Sequence, residues 1–162
     1  LPFYWVVDFP KIISGGQTGV DRAALDWAMA NDISYGGWCP QGRMAEDGMI
    51  DVQYNLRETP KSDYRQRTEW NVRDSDATVI ISLASQLTGG SLATAGFAAE
   101  HRKPCLHLSG LQDALENARQ LAIFLRRHEV QIINVAGPRA TGEPVVGPFI
   151  QSILKELLLK WE

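Results

Sequence analysis

The chain has 162 residues, 44% of them hydrophobic and 22% charged, a size and composition that predict one domain spanning residues 1–162 and burying roughly 70% of its unfolded surface. Sixteen basic against nineteen acidic residues give a net charge of -3. No basic block could neutralise a nucleic-acid backbone, which excludes DNA or RNA as the main partner. The two cysteines, Cys39 and Cys105, lie far apart in or beside apolar stretches. They form neither a disulfide framework nor a paired-cysteine metal site, and are expected as buried, reduced thiols in a cytoplasmic protein.

In chain order, the apolar opening LPFYWVVDFP is too short to span a membrane and is interrupted by Asp8 and two prolines, so it reads as a packed arm. Strands are expected at Lys11–Ser14, Ile33–Trp38, Ala77–Leu83, Pro104–Leu108 and Gln131–Val135. Helices are expected at Val20–Asn31, Tyr64–Arg73, Leu92–His101, Asp113–Glu129 and Val146–Lys160. Short apolar runs alternating with helical periods predict a three-layer, Rossmann-like α/β domain, a mainly parallel sheet flanked by helices. From Pro40 to Asp63 no period is sustained, which predicts a long loop, and loops of that length are commonly functional. The closing FIQSILKELLLKW carries enough leucine and tryptophan to suggest either an interface between copies or packing on the chain's own sheet.

In a parallel sheet, the loops leaving the carboxyl ends of the strands meet along one edge, where ligands bind. Four stretches fall there: SGGQTG, CPQGRMAEDG, LTGGSLAT and AGPRATGEP. Gly15, Gly16 and Gly19 allow a tight turn and a close approach to a ligand, while amides opening the helix near Val20 can meet an anion. The same glycines suit plain strand-to-helix packing, with Thr18 as a cap and Asp21 completing a capping box. Neither G-x-G-x-x-G nor a Walker loop fits, which weakens NAD binding and ATP hydrolysis. Gly89 and Gly90, followed by Ser91 and Thr94, give a second glycine turn on that edge and favour a phosphorylated ligand.

Arg43 with Glu46 and Asp47 could hold a phosphate or a pterin-like edge, or form a surface salt-bridged turn. Arg139, after the turn at Gly137 and Pro138, is aimed over the crevice. In YRQRTEWNVRDSD, Trp70 and Val72 are expected near the core with Arg67, Thr68, Glu69, Asn71 and Arg73 around them, most of these charges on a solvated face, a ligand or subunit contact being the alternative. The three histidines lack metal-ligand spacing, so no protein-held metal is expected, and no Ser/His/Asp set can be assigned from spacing.

Taken in order, SGGQTGVDRAALDWA, GGWCPQGRMAEDG, YNLRET, RTEWNVRDSDATVI and NVAGPRA closely resemble the "putative molybdenum carrier" family. That family is related to molybdenum-cofactor carrier proteins and to the Rossmann-like nucleotide-binding group that includes the lysine-decarboxylase-like LOG proteins. The resemblance spans about Lys11 to Ala140. It implies an oligomeric Rossmann-like fold binding a phosphate-bearing ligand, with molybdenum cofactor, a pterin with a terminal phosphate, as cargo and molybdoenzymes as partners. Carried over, Gly15, Gly16, Gln17, Thr18 and Gly19 form the first phosphate-facing loop, with Arg43, Glu46 and Asp47 beside it, and Gly89, Gly90 and Ser91 form the second. Where the related phosphoribohydrolases carry P-G-G-x-G-T-x-x-E, this chain has Thr88 for the proline and Gly96 for the glutamate. Carriage therefore ranks above catalysis, the alternatives being a nucleotide sensor or an N-glycosidic hydrolase using Glu46 or Asp47 as acid or base.

Overall fold

The computed structural model describes residues 7–161. Residues 1–6, most of the opening stretch read as a packed arm, lie outside them. Just beyond, Phe9 packs against Trp27 and Trp161 at ring-centroid distances of 5.6 and 5.5 Å.

The elements run β1 (Lys11–Ile13), α1 (Val20–Ala30), β2 (Tyr35–Gly36), β3 (Trp38–Cys39), β4 (Met44–Ala45), β5 (Gly48–Met49), β6 (Arg57–Glu58), α2 (Tyr64–Arg73) and β7 (Ala77–Ser82). They continue through α3 (Gly89–Glu100), β8 (Cys105–Ser109), α4 (Ala114–Arg127), β9 (Ile132–Ala136) and α5 (Val146–Trp161). A five-stranded sheet in the order β2-β1-β9-β7-β8, parallel throughout, forms the middle layer. The expected three-layer α/β fold is present. The last strand in sequence, β9, lies at the centre, between β1 and β7.

Strand β7 is buried at every position, as a parallel strand covered on both faces is, and four of its six residues are apolar. Alternate residues Ala77, Val79 and Ile81, with Ile12, Ile133 and Val135, join the main core with α1, α4 and α5. Helix α5 supplies Ile150, Ile153, Leu154 and Leu157 at helical spacing. Each such side chain contributes about 1.5–3 kcal/mol on burial. Much of the apolar content of this tail is thus used in the chain's own core, beside α1 and α4. The opposite face of the sheet, covered by α2 and α3, is different: Thr78, Ser82 and Asn134 are buried there. Polar residues on a covered face need partners or a ligand.

The expected strand Ile33–Trp38 divides into β2 and β3. Gly37 causes the break, with φ of 129° and its Cα packed against the Ser14 backbone, so the chain leaves the main sheet and β3 pairs with β6. The 40–63 segment, expected to hold little regular structure, contains the β4–β5 hairpin and β6. Ile50, Tyr54 and Leu56 build a small core there with Leu25, Cys39 and Ala45. Strands of two residues leave no period to detect. Helix α3 begins three residues earlier than expected, with the glycine pair inside its first turn. Of the cysteines, Cys39 is buried but Cys105, expected buried, is exposed on edge strand β8. No helix among the described residues is long and apolar enough to cross a membrane.

Candidate functional site

The strand order reverses between β1 and β9–β7, the place where an open parallel sheet leaves a crevice at its carboxyl edge. A cavity of about 260 Å³ opens there. One wall comes from Gly15 and Gln17 after β1, and the opposite wall from Thr88, Gly90 and Ser91 at the start of α3. The β9 turn contributes Gly137, Pro138 and Arg139.

The remaining wall is a face of α2. Tyr64, Arg67, Thr68 and Asn71 stand at i, i+3, i+4 and i+7 and all line the cavity. Arg67, in a stretch whose charges were expected mostly on a solvated face, is only 7% exposed, and Asn71 is buried as well. Arg67 donates from Nη1 to the Gly15 carbonyl at 2.9 Å and lies 3.6 Å from Asp21. Burial pulls the Arg67 guanidinium below its ordinary value and pushes the Asp21 carboxyl up, each offset by the other's charge. Both Arg67 and Arg139 lie over the Tyr64 ring, 5.2 and 5.3 Å from its centroid. Asn71 clasps the Trp38 backbone, accepting from its N–H at 2.8 Å and donating to its carbonyl at 2.9 Å.

The first glycine loop is turned largely inward. Gly16 and Gly19 have φ near 80°, and a Cβ on them would meet Ile50 and Leu56, or the Pro138–Ala140 backbone. The helix cap is Gly19, not Thr18. Thr18 instead donates to Glu46 and accepts from the Ala140 N–H. Asp21 accepts from the Gln17 N–H at 3.3 Å, and the Val20 N–H goes to the Pro138 carbonyl.

Glu46 is a tie between loops. It accepts from Thr18 and from Thr141 Oγ1 and N–H, and Arg139 Nε lies 3.8 Å away. Hydrogen bonds from Thr18 and Thr141 hold its carboxyl below the usual range. Asp47 is held below its own ordinary value by its hydrogen bond from Arg22. Arg43 adopts φ 57° and donates to the carbonyls of Ile50, Asp51, Tyr54 and Leu56, its own loop. Of the residues singled out from sequence, Gly15, Gln17, Gly90, Ser91 and Arg139 line the cavity. Gly16, Thr18, Gly19, Arg43, Glu46, Asp47 and Gly89 stand behind it or beside it.

The sequence left a ligand contact open for Arg67, Thr68 and Asn71 but assigned them no site role, and Tyr64 was not singled out; the signal for all four was present. They occupy the spacing of a buried helix face while being polar. Ser82 and His107 were also missed. Their Oγ and Nε2 are 2.6 Å apart, and burial lowers the His107 pKa. Among the described residues no group of three or more His, Cys, Asp or Glu could hold a metal ion.

Fold and cavity together define a Rossmann-like α/β protein with a cavity, lined in part by polar side chains, at the carboxyl edge of its sheet. The chain belongs to the circularly permutated YpsA SLOG family, whose model matches residues 12–158. It is also similar to a solved structure from Syntrophus aciditrophicus SB, named "putative molybdenum carrier protein", at 46% sequence identity. The two superpose with a TM-score of 0.90, over 93% of this chain and 95% of that one. The resemblance read from the sequence blocks is borne out. No curated protein matches the chain.

Proposed function

We propose that the chain is a carrier holding a phosphate-bearing pterin of the molybdenum-cofactor class in the cavity at the carboxyl edge of the sheet. One observation carries this reading: Arg67, Arg139 and the first turn of α3 converge on one polar cavity. Guanidinium groups and free helix-opening amides are the donors that phosphate takes. The groups present suit the organic part of such a cargo: Arg139 and the Gly90–Ser91 amides for the phosphate, Tyr64 and the carboxamide of Gln17 for the ring. The 46%-identical relative named a molybdenum carrier supports the same cargo.

Binding without turnover is favoured by the state of the two acidic candidates. Hydrogen bonds hold Glu46 and Asp47 below their ordinary range, and neither lines the cavity, so neither is placed to act as acid or base on a ligand there. Gly96 stands where related hydrolases carry their glutamate. Self-association and delivery to molybdoenzymes belong to the same proposal, and the exposed Leu92, Leu111 and Leu115 offer apolar surface for contacts.

Equilibrium binding tests the reading. The native protein should bind a phosphorylated pterin, and Arg139→Ala should weaken it by about tenfold or more, the range for a hydrogen bond to a charged group. Equal affinity of variant and wild type would count against the assignment.

A further inference from the structure

Resting on the reading of the cavity as a site for a phosphorylated heterocycle, we infer that Gln17 is a specificity-determining residue: it selects a ring bearing a carbonyl, and the phosphate lies at the opposite, α3 end.

The orientation of Gln17 is fixed by its neighbours. Its Oε1 accepts from the backbone N–H of Thr18 at 3.1 Å and of Glu46 at 2.9 Å. Reversing the carboxamide would set donors against donors. Nε2 therefore occupies the other position, and among the described residues it has no hydrogen-bond partner although it is buried. The side chain is 6% exposed and lines the cavity. A buried amide donor without an acceptor is unfavourable, and a ligand acceptor removes that penalty.

That acceptor is a neutral carbonyl because of what surrounds it. The β1–α1 loop already holds an acidic group of its own, Asp21, which takes the Gln17 amide at 3.3 Å and faces Arg67. Glu46 sits beside the same loop. A phosphate there would sit beside two carboxylates, each already paired with an arginine, Asp21 with Arg67 at 3.6 Å and Glu46 with Arg139 at 3.8 Å. At the other wall the situation is reversed. Thr88 makes no side-chain cap to α3, and the Gly90 and Ser91 amides have no protein acceptor among the described residues. A Cβ built on Gly89 or Gly90 would meet nothing within 4 Å, so a ligand can approach that backbone. The cavity is thus polarised: open amides at one end, an orphan neutral donor beside carboxylates at the other. A ring with an oxo group, as in a pterin or a 6-oxopurine, matches the second end. A ring with an amino group in its place sets N–H against N–H.

The test uses the full chain and three soluble probes, GMP, IMP and AMP, in equilibrium titrations, with Gln17→Glu as the variant. Glutamate keeps one oxygen for the Thr18 and Glu46 amides and turns the orphan donor into an acceptor. Wild type should bind GMP and IMP at least about tenfold more tightly than AMP, the scale of one neutral hydrogen bond and its mismatch. Gln17→Glu should reverse or abolish that preference. Binding of all three with equal affinity, or an unchanged ratio in the variant, would overturn the assignment to Gln17 and leave the carrier reading standing. Failure of every probe and of the phosphorylated pterin to bind would overturn both. If Gln17→Glu does not fold, Gln17→Met serves in its place and should bind GMP, IMP and AMP with equal affinity, an unchanged ratio again overturning the assignment.

Discussion

Replacing Arg67 by methionine probes the buried pair under the cavity. The methionine fills most of the aliphatic volume but removes the charge facing Asp21, 3.6 Å away, and the donor to the Gly15 carbonyl. Asp21 would be left buried and uncompensated, which costs about 3–5 kcal/mol for a broken buried pair. The loss should depend on pH. Burial already raises the Asp21 pKa, and removing the arginine raises it further. A group whose folded pKa lies above its unfolded value contributes stability that is full below the unfolded pKa and lost as pH rises through the folded one. Arg67→Met should therefore be most destabilised near neutrality and recover on acidification into the carboxylate range. Urea unfolding at a series of pH values measures this, and Asp21→Asn added to Arg67→Met should restore much of the loss. A cost below about 1 kcal/mol at neutral pH, or no rescue by Asp21→Asn, would refute the claim that these residues compensate each other.

Gly137→Ala would press a methyl against the Ile81 carbonyl and to 2.5 Å from Val20 Cγ2, so thermal unfolding should show a loss of about 1–3 kcal/mol, as for other overpacked sites. Arg43→Ala removes the donor to four loop carbonyls; hydrogen exchange should speed up across residues 43–56, and ligand affinity should change less than in Arg139→Ala. The Glu46 tie has a lowered folded pKa, so its contribution is present above the ordinary glutamate value and lost as pH falls through the folded one. Amides of residues 44–49 and 140–142 should lose exchange protection together on acidification, and Glu46→Gln should remove that pH dependence.

The layered fold was legible because β7 is a short, mostly apolar run, four of its six residues being Ala, Val or Ile, and α5 repeats its apolar residues at helical spacing. These are signals set by burial alone. The 40–63 segment was not legible, since its two-residue strands are held by Arg43 and by a small cluster around Ile50 rather than by any local pattern. For the site, glycines and Arg139 were visible because turns demand particular residues. Which of them face a ligand was not visible. Gly16 and Gly19 pack against protein, and only the tertiary arrangement separates them from Gly90. Arg67 looked like surface because a charged helical residue usually is. What reverses that expectation is Asp21, 46 residues earlier in sequence (67 minus 21) and 3.6 Å away in space.

Native mass spectrometry of protein purified without oxygen, followed by denaturation and identification of whatever small molecule is released, reads the cargo without assuming it. A phosphorylated pterin of the molybdenum-cofactor class is expected, lost or depleted in Arg139→Ala. Release of an unphosphorylated compound, or a protein that arrives empty and takes up no phosphorylated pterin on addition, would contradict the carrier reading.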